Sequence, residues 1–157
     1  MEFKEYLKKG KETEARFALL LDNPVFSTED QDKKEHWDLK DEMGVKYDVK
    51  GMKQYQRKEN GLATDRLHWI EFMNVNGDDG WLYGQADVIV FETRKWWLLV
   101  NREDLVAFAE AATKDEKWAN GKPKPYEFYR RKDKKDKIAI LPTVDLLSIA
   151  SQVLVKK

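Results

Sequence analysis

The chain has 157 residues, 41% hydrophobic and 12% aromatic with six Trp, which is the length and apolar content of one domain with a substantial core. It contains no cysteine and two histidines, His36 and His68, which excludes disulfide frameworks, thiolate metal sites and histidine-rich zinc sites, and leaves little room for a Ser-His-Asp triad. Lys+Arg and Asp+Glu number 29 each. No apolar run approaches membrane-spanning length, and the N-terminus reads as a charged helix rather than a signal peptide, so a soluble, cytoplasmic protein is expected.

Residues 2–21 carry the period of an amphipathic helix, with Phe3, Leu7, Gly10, Phe17 and Leu21 along one face. Glu14 belongs to the same stripe, since eleven residues after Phe3 amount to roughly 20° of rotation beyond three turns. A carboxylate among apolar residues is costly unless something pairs with it. Glu12 points elsewhere, into solvent.

The next segment, from His36 to Gly51, alternates apolar and charged residues on both sides of the short acidic link Asp41-Glu42-Met43-Gly44, the pattern of a β-hairpin. Trp37 and Leu39 are expected on one face with Tyr47 and Val49; Asp38 and Lys40 fall on the other with Asp48 and Lys50. If Leu39 sits opposite Tyr47, Asp38 sits opposite Asp48. Like charges at that spacing destabilise a sheet, so a chain that keeps them has a use for a cation between them. Two carboxylates and a lysine at one end of a hairpin have the composition of a divalent-metal site for phosphodiester hydrolysis. The alternative is an ordinary solvated face balanced by Lys40, Lys46 and Lys50.

Further along, Lys53-Gln54-Tyr55-Gln56-Arg57-Lys58 is a basic segment ending in a turn at Glu59-Asn60-Gly61. Leu67–Val75 reads as a central strand with large residues on both faces; Glu71 is the odd member, a structural ion-pair partner or an addition to the metal site. Asn76–Gly80 is a tight turn. Ala86–Phe91 and Trp96–Val100 are buried strands, and Asn101 is placed to cap a helix running to Ala112 with Asp104 in its first turn. Ile138–Pro142 is expected as the last strand. Thr143 then caps a closing helix with Val144, Leu147, Ile149, Ala150, Val153 and Leu154 on its buried side. Trp81 reads as a core residue; stacking on a sugar or base is the alternative for Trp81 and Tyr83. The fold class expected is α/β or α+β, a mixed sheet flanked by helices in a single domain over residues 1–157.

Charge is unevenly spread. From Lys122 to Lys137 eight Lys/Arg face three acids, whereas from Glu29 to Glu42 seven acids face three lysines. That asymmetry suits a protein that binds a cation at one place and a polyanion at another, with a solvated loop as the plainer reading of the basic run. No Walker, dinucleotide-binding, HExxH or EF-hand pattern is present.

Asp38 followed by Asp48-Val49-Lys50 resembles the core motif of the PD-(D/E)XK nuclease superfamily, although Trp37 stands where the motif's leading Pro is usual. The run from Trp69 through Gly80-Trp81-Leu82-Tyr83-Gly84 to Ala86-Asp87 looks like the later half of several phage-encoded proteins of that class, and Lys9-Gly10-Lys11-Glu12-Thr13-Glu14 is similar to the start of archaeal-type Holliday-junction resolvases. The resemblance covers about residues 10–110. It implies a restriction-endonuclease-like core and a Mg²⁺- or Mn²⁺-dependent endonuclease acting on DNA. Asp38, Asp48 and Glu14, with Glu12 in reserve, would hold the metal together with the Val49 carbonyl, and Lys50 would assist the attacking water. Resolvases of this kind work as dimers, so a homodimer is among its implications. A non-catalytic nucleic-acid- or protein-binding module on the same fold is the competing expectation.

Overall fold

The computed structural model describes residues 3–54 and 63–157, and side chains from Gly10 onward. The turn expected at Glu59–Gly61, most of the basic run after Lys53, and the Phe3 and Leu7 side chains lie outside the described residues. In chain order the elements are α1 (Phe3–Ala18), β1 (Val25–Phe26), α2 (Glu29–Glu35), β2 (Leu39–Lys40), β3 (Lys46–Lys50), β4 (Leu67–Met73), a 3-10 turn (Trp81–Tyr83), β5 (Val88–Glu92), β6 (Trp96–Asn101), α3 (Arg102–Ala112), β7 (Phe128–Tyr129), β8 (Lys137–Pro142), α4 (Thr143–Ile149) and β9 (Gln152–Val155). They form an α+β fold with a six-stranded sheet, ordered β1-β2-β3-β5-β6-β9, and a three-stranded sheet, β4-β8-β7. The larger sheet is mixed: β3 runs parallel to β5, and its other pairings are antiparallel.

Every residue of β5 is buried, so its near-continuous apolar sequence covers both faces of the sheet. On one face Val88, Val90, Trp97 and Leu99 pack with Leu39, Tyr47, Val49 and with Phe17 and Ala18 of α1. The fully buried Phe17 ring meets Tyr47 and Trp97 at centroid distances of 5.4 and 5.5 Å, and burial of such a side chain contributes about 1.5–3 kcal/mol. On the other face Ile89, Phe91, Leu98 and Val100 pack with residues of the smaller sheet, the Trp81 turn, α3 and α4. The hairpin register is the one the alternation implies, with Leu39 opposite Tyr47.

Several expectations are corrected. Trp37 does not share the Leu39 face; it packs in the opposite cluster with Trp81 and Leu82. The chain leaves α2 through His36 in the left-handed region (φ 58°), and β2 begins only at Leu39, so alternation does not extend back through Trp37. β4 is an edge strand of the smaller sheet, not a central strand, and burial alternates along it with His68, Ile70 and Phe72 buried. Asn101 precedes α3 without accepting a capping hydrogen bond at its side chain. Thr143 is the first helical residue of α4; its hydroxyl donates to the Asp65 carbonyl at 2.5 Å. Leu146, not Val144 or Leu147, is the buried residue of that helix. Nor does the helix continue to Leu154. Residues 152–155 form β9, because the Gln-Val-Leu-Val stretch, with its two β-branched residues, pairs along the open β6 edge.

His68 illustrates the cost of the smaller sheet's packing. Its ring is 3% exposed, lies edge-on to Phe91 at 5.0 Å, and leaves Nε2 without a hydrogen-bond partner. Burial pushes its pKa down from 6.5 to about 4, with Asp65 pulling weakly the other way. Below about pH 6.5 the unfolded chain therefore takes up a proton that the folded one refuses, and this contribution to stability is lost as pH falls towards 4. In urea unfolding at pH 7 and pH 4, wild type should lose on the order of 2–3 kcal/mol relative to His68→Leu. Parallel pH curves for the two proteins would show that His68 titrates normally in the fold.

Candidate active site

The site lies where β2 is too short to accompany β3. β2 ends its pairing at Leu39, while β3 runs on to Lys50. Asp38 occupies the gap: its backbone N–H donates to the Tyr47 carbonyl at 2.8 Å, and its Oδ2 accepts from the Val49 N–H at 2.7 Å. The side chain thus takes the place of a missing strand partner. Asp38 is 7% exposed and Asp48 3%. Lys50 Nζ lies 3.0 Å from Asp48 Oδ1, whereas Asp48 Oδ2 is buried with no hydrogen-bond partner among the described residues. An unpartnered buried carboxylate oxygen is costly and calls for an explanation.

Glu14 reaches the same place from α1. Its side chain is 13% exposed, and Lys11 approaches it at 3.9 Å. The Asp38 carboxyl lies close enough to Glu14 for each to act on the ionisation of the other. Burial raises the Glu14 pKa, with Lys11 opposing. Burial also drives the Asp38 carboxyl far above the usual carboxylate range; the Asp48 and Glu14 charges add to the shift, and Lys50 and the Val49 N–H oppose it. Burial works against the Lys50 ammonium, but Asp48 and Asp38, with a smaller contribution from Glu71, hold its pKa above the ordinary lysine value.

Glu14, Asp38, Asp48 and Lys50 are therefore brought together, and Val49 joins them through its backbone. Glu12 is exposed on α1, away from them. Glu71 stands across from Lys50, near enough for its charge to act there, and its Oε1 accepts from the Trp81 N–H at 3.3 Å. Among the described residues no group of three or more His, Asp or Glu is arranged to hold a metal ion.

Two features went unread in the sequence. Trp81, 7% exposed, lies beneath Lys50 with the ammonium 4.6 Å from the ring centroid. That contact depends on Gly80, where a Cβ would collide with the Glu71 carbonyl, and on Gly84, where it would come within 2.6 Å of His36 Cβ. Gly-Trp-Leu-Tyr-Gly was thus the available signal, but only the register against β4 shows what it packs on.

The second is Glu92. It is buried at the end of β5, and Arg16, Lys156 and the Met52 N–H donate to it at 3.0, 2.9 and 3.2 Å. Burial alone would raise its pKa; these donors outweigh burial and hold it below the usual value. Because Arg16 also bonds Thr13 at 3.2 Å, the network anchors the last turns of the helix that carries Glu14. A charge closing an otherwise apolar strand was the signal.

The chain was compared with known proteins. It matches no protein-family model, no curated protein and no solved structure. What the site does has to be argued from its own chemistry. No described helix is long and apolar enough to cross a membrane.

A stability measurement tests the crowding of carboxylates. Asn at position 38 can still accept from the Val49 N–H, and it brings no charge to the buried corner. In EDTA at pH 7, Asp38→Asn should raise the unfolding free energy by on the order of 1–3 kcal/mol. The sign follows from the raised pKa: Asp38 favours the fold in acid and loses that contribution as pH rises above the ordinary carboxylate range. The gap between variant and wild type should widen from about pH 5 to about pH 8. A destabilised variant would mean that the buried charge is well compensated.

Proposed function

We propose that the protein is a metal-dependent nuclease hydrolysing DNA phosphodiester bonds, a reading that includes the restriction-endonuclease-like core and Mg²⁺ or Mn²⁺ as cofactor. The observation that carries it is the meeting of Glu14, Asp38 and Asp48 beside Lys50, with Asp48 Oδ2 buried and unpartnered. A structural role alone gives no reason to bury two carboxylates together and set a third, half-buried one beside them, since each raises the cost of ionising the next. The donor set fits the group: carboxylate oxygens and a backbone carbonyl are what hard divalent cations take.

Asp38, Asp48, Glu14 and the Val49 carbonyl would hold the ion, which when bound would polarise a phosphoryl oxygen and lower the pKa of a water. Because burial favours the protonated form of Asp38, ion binding and proton release would be linked. Lys50, freed from its pairing with Asp48, would donate to the attacking water or to the charge growing on the phosphoryl oxygens. Trp81 beneath the ammonium limits where it can point, and Glu71 keeps a negative charge behind it.

One observation favours a second reading. The Lys50–Asp48 ion pair already satisfies half of Asp48, and no described triad is preset for a metal. A binding module on the same scaffold, without catalysis, would look the same.

Cleavage separates the two. Linear duplex, single strand, plasmid and four-way junction should be incubated with Mg²⁺, Mn²⁺ or EDTA. Wild type should cut at least one substrate only with metal, and Asp48→Asn and Lys50→Ala should each lower the rate on the order of 10²-fold or more while remaining folded by circular dichroism. Absence of cutting on every substrate, with no heat of metal binding in calorimetry, would leave the binding module.

A further inference from the structure

The basic run from Lys122 to Lys137 is not a loose loop. Buried Asp136 organises its second half: it is wholly inaccessible, its carboxylate accepts from Arg131 N–H at 3.0 Å and from Arg131 Nε, and its carbonyl accepts from Arg130 Nε at 2.9 Å. Asp133 takes the left-handed region (φ 61°), and Lys134 N–H closes a turn onto the Arg131 carbonyl at 3.1 Å. Lys135 is fixed to the neighbouring turn through its N–H to the Val75 carbonyl at 3.2 Å.

These constraints aim cations at one place. A cleft of about 450 Å³ is lined by Met73, Asn76, Gly77, Arg130, Lys134 and Lys135. The Arg130 guanidinium stacks on Trp118 with its centre 4.8 Å from the ring centroid. Lys135 lies along Gly77, where a Cβ would come within 3.2 Å of its Cδ. Gly77 has φ +87°, so the turn both needs glycine and leaves room for the lysine stem. Neither Arg130, Lys134 nor Lys135 forms an ion pair with a described carboxylate, in contrast to Arg131 and Lys137. Three cations line one cleft without an ion pair to a described carboxylate.

The cleft is also connected to the candidate active site. β4 runs from Glu71, whose charge acts on Lys50, to Met73 at the cleft wall. Lys53 is exposed as a residue, yet enough protein surrounds its ammonium for burial and the neighbouring Lys50 and Arg131 charges to pull its pKa down to about 8. Lys53 thus lies within electrostatic reach of both Lys50 and Arg131.

We propose that this cleft is a phosphate-binding subsite for the backbone of duplex DNA, holding a stretch of the substrate away from the bond presented to Lys50. The inference rests on the nucleic-acid reading above and gives it a second, separate point of contact. Backbone contacts of this kind position the duplex and carry no base preference.

Salt dependence of binding tests it without cleavage. Fluorescence anisotropy of a labelled duplex is measured with the full chain in EDTA at several salt concentrations, for wild type, Lys134→Ala/Lys135→Ala, and Lys33→Ala/Lys34→Ala as a control of equal charge on α2. Each lost phosphate contact makes the slope of log K against log salt shallower by about 0.9. The cleft variant should therefore bind about tenfold or more weakly at low salt, with a slope shallower by about 2, while the control keeps the wild-type slope. Equal slopes for the cleft variant and wild type, equal losses in cleft variant and control, or no binding by wild type would each overturn the subsite. Lys134→Ala alone, which leaves the Lys135–Gly77 packing intact, should change the slope by about half as much and keeps the test usable if the double variant misfolds. A protein that binds as expected but never cuts keeps the subsite and loses the nuclease; one that cuts while the cleft variant keeps the wild-type slope does the reverse.

Discussion

The pairing of Leu39 with Tyr47 governs the open end of β3, because side-chain period in a strand is two and a slip of one residue would exchange its faces. With that register, Leu39, Tyr47 and Val49 meet Phe17 beneath α1, and Asp38 is carried to the level of Asp48. The apolar contacts set the register; the two carboxylates have to accept it. Their repulsion is relieved by the Lys50 ammonium on Asp48 and by the Val49 N–H on Asp38. The same residues that make the corner unfavourable electrostatically give it hard oxygen donors and a cation at one point. Local conflict of this type, inside an otherwise consistent fold, is where function is expected to reside.

Much of this corner could be read from residue order alone. Alternation on both sides of Asp41–Gly44 was enough for the hairpin and its register, and the helical period was enough to set Glu14 on the face that includes Phe17. These are short-range patterns, and each was supported by apolar residues whose burial leaves little choice. The exposed Gly10 shows that the stripe is narrower than its spacing suggests.

Elements whose state depends on distant partners were not legible. Residues 152–155 continue the apolar spacing of a helix, and only the vacant β6 edge turns them into a strand. Leu67–Met73 looks central because its residues are large on both sides, yet it forms the rim of a separate sheet covering Phe91 and Trp81. Trp37 is separated from its apparent face by the left-handed His36, a conformation that nothing in a His-Trp pair announces. Lys50 over Trp81 requires two elements thirty residues apart to meet, and the neutralisation of Arg131 by Asp136 is hidden in a run that composition reads as uniformly basic.

Glu92 has a consequence for the order in which the molecule is completed. It joins Arg16 across 76 residues and Lys156 across 64, and contacts of such long loop closure come late in folding. Hydrophobic packing of Phe17 and the Arg16–Glu92 ion pair hold α1 to the sheet, whereas Lys156 reaches Glu92 only once the strand that follows α4 has added itself to β6. During synthesis the carboxylates of the N-terminal helix and the hairpin therefore emerge long before the residue that completes their anchorage. A partly made chain carries Glu92 beside Arg16 before its second cation exists, and that buried charge is fully balanced only when β9 is in place.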